Sequence, residues 1–254
     1  MPDFLLWAYA AVLGACFGSF LNVCVYRWPE GLSVISPPSR CGSCGTPIRW
    51  YDNFPVLGWI ILRGRCRACS APVSIQYPLI ELGVALLWVG AALRYGPSWQ
   101  ALSTALFLTI LLGISLTDAR TYIIPDEFTW GGMALGLALS FAPGGITWRE
   151  SAIGAAVGFG LLWLVAVLGE KAFRKQAMGG GDIKMMAMVG AFVGWPGVLL
   201  TVFLGAVFGS LIFGPISMKT KKLVPFGIFL ALGAAITEAW GGQIIAWYLR
   251  TFVG

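Results

Sequence analysis

The 254-residue chain contains no histidine. That excludes Ser-His-Asp and Cys-His catalysis, HExxH zinc hydrolysis and any imidazole ligand within this chain. Chemistry must come from Asp, Glu, Ser, Thr, Cys, Lys, Arg or Tyr. Two aspartates have suggestive surroundings. Asp118 opens the stretch Asp118-Ala119-Arg120-Thr121-Tyr122-Ile123-Ile124-Pro125-Asp126, at the end of an apolar run. Asp182 follows Gly179, Gly180 and Gly181 at the start of another. Two carboxylates sharing one water can divide the work of hydrolysis, one as ionised base and one as protonated acid. Glycines let a backbone or substrate approach closely, so residues 179–181 are a candidate substrate-approach loop. They are no P-loop, because GxxxxGK[ST] is absent. Asp126 follows Pro125 and is expected to be a helix N-cap, and Asp182 could equally be only a cap. Glu81 and Glu238 lie inside apolar runs, where a carboxylate is expected to pair or to line a polar interior.

Four cysteines form the second constellation. Cys41 and Cys44 make one CxxC, Cys66 and Cys69 another, with 21 residues between them. That gap is slightly longer than the usual ribbon range of about 15–20. Two CxxC turns can close a tetrahedron of thiolates around zinc, and four thiolates leave no open position, so the metal would be structural. Cys16 and Cys24, inside the first apolar run, are expected to be small packing residues.

The elements that must hold these residues are membrane helices. Apolar residues make up 58% of the chain and charged residues 11%, and mean hydropathy is +0.81. A soluble domain is about 45–50% apolar and ~25% charged. One soluble core cannot hide so much apolar surface, so lipid is the expected solvent. Apolar runs cover residues 4–26, 77–93, 99–117, 128–141, 151–168, 185–195, 197–216 and 224–240. Against a requirement of about 20 residues per span, they predict an all-α polytopic protein with about eight transmembrane helices. The first run lacks the basic start and cleavage site of a signal peptide. The 185–195 run is short, and the tail 243–253 either extends the last helix or lies on the surface. No internal sequence repeat is visible, which disfavours an inverted-repeat transporter.

With the amino end outside, 14 of the 17 Lys and Arg fall in the inner segments 27–76, 118–127, 169–184 and 217–222. Only Arg94, Arg149 and Arg250 fall outside. This is a positive-inside pattern, and it accounts for the net charge of +6 without a nucleic-acid partner. The cysteine loop is then cytosolic, where disulfides rarely persist. Parity also places Asp118 and Asp182 at the same leaflet. On residue chemistry alone, an aspartyl membrane hydrolase and a proton- or ion-coupled transporter stay equally open. For the hydrolase, helix ends suggest roles. Asp182 opens a helix, where the positive dipole end favours an anion, and Asp118 closes one. That makes Asp182 the expected base and Asp118 the expected acid.

Taken in order, the motifs resemble the type IV prepilin peptidases. The likeness runs through Gly18-Ser19-Phe20-Leu21-Asn22-Val23 with Tyr26-Arg27, the paired CxxC loop and Trp50-Tyr51-Asp52-Asn53-Phe54-Pro55. It continues through Tyr77-Pro78-Leu79-Ile80-Glu81-Leu82, the Asp118-to-Asp126 motif, Gly179-to-Asp182 as GxGD, and Pro225-Phe226-Gly227. Gly58 stands where the family often has Ser, and Ile228 where Pro is usual. The resemblance implies a bifunctional enzyme of the bacterial cytoplasmic (inner) membrane. Asp118 and Asp182 would be its catalytic pair, cleaving prepilin or pseudopilin precursors at the cytosolic face. S-adenosylmethionine would then methylate the new amino terminus. No dinucleotide fingerprint marks a site for that donor, which is left unassigned. The cysteine loop fits the methylating members rather than peptidase-only relatives. The expected organisation is a first helix at 1–27, a cytosolic zinc-binding loop at 28–76 and a membrane-embedded peptidase at 77–254. Partners are the precursors and membrane lipid.

Overall fold

The computed structural model describes residues 3–174, 178–220 and 225–252. Among these, the regular elements are helical, and the only β pairings are two isolated bridges in the cysteine loop. The chain divides into two compact units, Met1–Ala105 and Leu106–Gly254.

The first unit holds α1 (Asp3–Arg27), a 3-10 turn (Trp28–Glu30), the cysteine loop with the short α2 (Leu57–Ile61), and α3 (Gln76–Tyr95). α4 (Trp99–Thr121) begins in it. α1 and α3 pack antiparallel. Gly14 faces Ala85 and Trp88, Gly18 faces Glu81, and Asn22 reaches Tyr77 one turn further on. Side chains at Gly14 or Gly18 would meet the α3 backbone within 2.8 Å, so small residues set how near the helices come. Phe17 stacks on Trp88 at 4.7 Å beside this contact.

The second unit holds the rest of α4, then α5 (Asp126–Leu139), α6 (Trp148–Phe173), α7 (Gly180–Thr220) and α8 (Phe226–Phe252). α7 is not straight. Gly194 has φ 69° and ψ 176°, a left-handed conformation open to glycine at little cost. The contacts show that the chain doubles back there. Along residues 180–193, α7 runs antiparallel to α6, with Gly158 against Met186, Gly154 against Gly190, and Ser151 donating to the Ala191 carbonyl at 2.7 Å. Beyond Gly194 it runs antiparallel to α8, with Thr201 bonded to Thr237 at 3.1 Å and Gly205 against Leu230. α8 starts at the end of the unit where α7 starts, so residues 195–220 return toward that end. Any side chain at Gly154, Gly158 or Gly190 would run into a facing backbone carbonyl.

Six helices among the described residues are long and apolar enough to cross a membrane, against the expected eight or so. The difference arises in two places. α5 has 14 residues, about 21 Å at 1.5 Å per residue against a hydrocarbon core of about 30 Å, so it falls outside that count by length although it runs beside the first half of α7, Gly132 against Met188 and Gly136 against Phe192. The 185–195 and 197–216 runs are joined into α7 across Gly194. The tail extends the last helix, which continues to Phe252. Large apolar side chains cover the outside, among them Phe4, Trp163 and Phe203, each more than half exposed. Such a surface suits lipid and not water. Of the inner-segment lysines, Lys175, Lys221 and Lys222 lie outside the described residues.

Candidate functional site

Asp118 lies near the end of α4 and is buried, 5% exposed. Thr117 and Thr121 bond back to carbonyls within the same helix, which keeps its last turns closed around the aspartate. Asp182 is the third residue of α7 and is half-buried. The two carboxylates are near enough for the charge of one to act on the other. Asp118 also faces the backbone N–H groups of Gly227 and Ile228 in the first turn of α8. A side chain at Gly227 would come within 2.8 Å of Asp118 Oδ2, so glycine makes room for the carboxylate. Oδ2 of Asp118 is buried and has no hydrogen-bond partner. A buried carboxylate oxygen left so is costly unless something mobile, such as a water or a substrate, completes it.

This geometry corrects the argument from helix ends. Asp118 closes α4, but it also faces the positive end of α8. Both aspartates therefore see a helix N-terminus, and the dipole does not distinguish base from acid. The three glycines are split by the helix start. Gly179 precedes α7, while Gly180 and Gly181 are its first two residues. Gly181 packs on Ile124 of the Asp118 motif, and Gly180 has open space where a side chain would stand. Asp126 is not the N-cap of α5. Pro125 holds that position without a side-chain bond, and Asp126 is the first helical residue. Its carboxylate pairs with Lys184 Nζ at 2.7 and 2.8 Å. The pair ties the start of α5 to the first turn of α7. No periodicity announced it, because the partners are 58 residues apart.

The first unit holds the sulfur cluster. The Sγ atoms of Cys41, Cys44, Cys66 and Cys69 all lie within 4.8 Å of one another. Cys41 and Cys69 are 3.8 Å apart, far beyond a disulfide. A zinc–sulfur bond of about 2.3 Å in a tetrahedron requires sulfur–sulfur edges of about 3.8 Å. The donor set therefore fits a tetrahedral metal ion. The electrostatics of the bare thiols agree. Hydrogen bonds from Thr46 push the Cys44 thiol down to about 6. At Cys69 the Ala71 N–H lowers the value, but the surrounding sulfurs and burial outweigh it and push it up to about 12. Four sulfurs this close cannot all carry charge without a cation.

A repeat builds the cluster, contrary to the expectation of none. Arg40-Cys41 to Pro47-Ile48 and Arg65-Cys66 to Pro72-Val73 are the same turn made twice, 25 positions apart. In each, the first cysteine donates its N–H to the residue five further on and accepts from the residue four further on. Each closes with an antiparallel bridge, Arg40 to Pro47 and Arg65 to Pro72. The residue after each second cysteine, Gly45 or Ser70, has a left-handed φ of 70° or 58°. The shared R-C-x-x-C-x-x-P spacing was the available signal. Between the turns, Arg67 grips Asp52 through Nε at 2.8 Å and Nη2 at 2.6 Å, and lies over the Tyr51 ring. The guanidinium holds the Asp52 carboxyl below the usual carboxylate range.

Comparison with known proteins follows the same division. The bacterial peptidase A24 N-terminal domain matches residues 12–95, and the type IV leader peptidase family matches residues 105–214. A prepilin leader peptidase/N-methyltransferase of Myxococcus xanthus is 37% identical over 82% of this chain and 62% of its own length. Relatives of the same name are 36% identical in Pseudomonas putida, over 93% of this chain and 91% of theirs, and 33% in Aeromonas hydrophila, over 98% and 97%. No solved structure matches. With a helical membrane architecture, two aspartates that each face a helix N-terminus and relatives of one kind matched over nearly their whole length, the chain belongs to the type IV leader peptidase family.

Proposed function

We propose that this protein cleaves the leader peptide from type IV prepilins or type II secretion pseudopilins, and then methylates the new amino terminus. The observation that carries the peptidase half is the closeness of Asp118 and Asp182, each within reach of the other's charge, with one buried carboxylate oxygen unpartnered. In this reading one carboxylate takes a proton from water, whose oxygen attacks the scissile carbonyl carbon. The other, protonated, donates to the carbonyl oxygen. Collapse of the tetrahedral intermediate breaks the C–N bond, and the leaving nitrogen takes a proton from the pair. Residues 179–181 lie where the substrate backbone would approach, the open space at Gly180 giving it room.

The methyltransferase half rests on the shared name of the relatives. S-adenosylmethionine supplies an activated methyl group for it. Cys41, Cys44, Cys66 and Cys69 hold a structural zinc ion that fixes the loop. The protein sits in the bacterial inner membrane with the loop and both aspartates facing the cytosol, on the strength of the charge split. Residues 28–76 act as the zinc-binding domain, and the membrane-embedded peptidase lies within 77–254, with its aspartates in the second unit.

The test is co-expression with a prepilin, followed by mass spectrometry of the product's amino terminus. A shortened, methylated product is expected from the wild type and an intact precursor from Asp118→Asn. A shortened but unmethylated product would leave a peptidase only.

A further inference from the structure

The first unit contains a cavity of about 680 Å³, within the range of about 300–1,000 Å³ usual for small-ligand sites. Ser19, Asn22, Phe54, Tyr77 and Glu81 are among the residues that line it. Neither metal binding nor peptide cleavage uses them.

Asn22 is 3% exposed. Its Nδ2 donates to the Tyr77 carbonyl at 3.2 Å, and its Oδ1 is buried with no partner. The amide cannot be turned round to remove the problem, because its oxygen would then face a carbonyl. Glu81 is 8% exposed, on α3, one turn along from Tyr77. One of its oxygens accepts the Val56 N–H at 2.7 Å, and Ser19 also bonds to the side chain. Among the described residues, no lysine or arginine pairs with it. Val56 itself has φ 60°, a strained value for a β-branched residue. Strain of this kind persists where the surroundings over-determine it, often at ligand sites. A buried, unpaired carboxylate and an orphaned amide oxygen therefore line one cavity, about one helical turn apart. Both are acceptors, and one is charged. Their complement is a cation with several N–H donors.

We infer that Asn22 and Glu81 bind an α-ammonium group in this cavity. The inference rests on the methyltransferase reading above, which offers two sources of that chemistry. One is the new amino terminus of the cleaved substrate, and the other is the amino-acid end of the methyl donor. A charge-assisted bond from an ammonium to each acceptor would satisfy both groups at once.

The experiment uses the full-length protein in detergent and two pairs of probes. The first pair is a synthetic peptide beginning with a free phenylalanine and its N-acetylated form. The second is S-adenosylhomocysteine and its deaminated analogue. Affinities are measured by calorimetric titration for wild type, Glu81→Gln and Asn22→Leu, each checked for folding by a circular dichroism melt. Glu81→Gln keeps an acceptor for the Val56 N–H, so it carries the test even where Asn22→Leu fails to fold. In one pair the wild type should prefer the amine-bearing probe by about 10- to 100-fold, and Glu81→Gln should bring that ratio close to one. Collapse in the peptide pair assigns the site to the substrate, and collapse in the other assigns it to the donor. A loop-holding role alone would weaken both members of a pair equally. Equal ratios in wild type and Glu81→Gln for both pairs, or no binding of any probe, overturn the inference. Wild-type binding that depends on the amine, with no methyl transfer, would defeat the methyltransferase reading and leave this site standing.

Discussion

At the scale of single residues, Asp118, Asp182 and Asp126 belong to neighbouring motifs but have different surroundings. Asp118→Asn in correctly inserted protein should abolish prepilin cleavage, because the pair then lacks one half of its proton relay. Cleavage rate against pH should be bell-shaped in wild type, since one carboxylate must be ionised and the other protonated. Processing by Asp118→Asn at near wild-type rate would sink the assignment. Asp126→Asn removes an ion pair whose partners are 33% and 57% exposed. Pairs so exposed contribute up to about 1 kcal/mol, so cleavage should persist with a slightly lowered melting temperature. The sequence made both site aspartates visible, since a charge beside an apolar run needs a reason. It could not reveal which one carries the proton, because the α8 N-terminus that faces Asp118 lies over a hundred positions away in the chain.

At the scale of elements, the repeated turn around the cysteines makes the metal a folding device. Cys66→Ser should lower bound zinc, measured by plasma emission spectrometry, and should increase protease sensitivity between residues 40 and 73, because ligand loss removes folding free energy. Zinc at full occupancy in the variant would count against the four-sulfur site. The Asp52–Arg67 grip makes the same loop sensitive to acid. The folded-state value of Asp52 is depressed, so its contribution is present above the unfolded value of about 3.9 and is lost as pH falls through the folded value. Proteolysis of the loop should therefore rise at the acid end in wild type, where acid also loosens the thiolate–metal bonds, and Asp52→Asn should already show at neutral pH the part of that rise owed to the ion pair. Element identity was legible because a long apolar run has few alternatives to a membrane helix. The reversal in α7 was less so. Gly194-Trp195-Pro196-Gly197 interrupts apolar sequence without a polar loop, and only the facing glycines of α6 and the pairing with α8 reveal the turn. Gly190→Val would press a branched side chain into the Gly154 backbone. It should cost about 1–3 kcal/mol and displace the α7 start, with Asp182.

At the scale of the whole molecule, the chain divides into two units, and each family match falls almost wholly within one of them. The carboxylate pair belongs to the second unit, and the cysteine cluster and the Asn22–Glu81 cavity to the first. Hydrolysis needs a polarised water between two carboxylates. Methyl transfer needs a free amine brought to an activated methyl group, and no hydrolytic water. The two requirements share no group, so the activities should separate. Asp182→Ala should abolish leader cleavage and still methylate a peptide supplied already cleaved, at a rate read by mass spectrometry of its amino terminus. Cys66→Ser should have the opposite bias, with methylation falling further than cleavage, because the loop it loosens belongs to the first unit. Topology is part of the same proposal, in which both reactions act on one chain end at one face of the membrane. Reporter fusions after Arg65 and after Arg149 should report opposite sides, as the division of charge requires. Loss of both activities in a folded Asp182→Ala protein would mean that the amine is methylated only while it is held by the peptidase pair, and would count against separate activities.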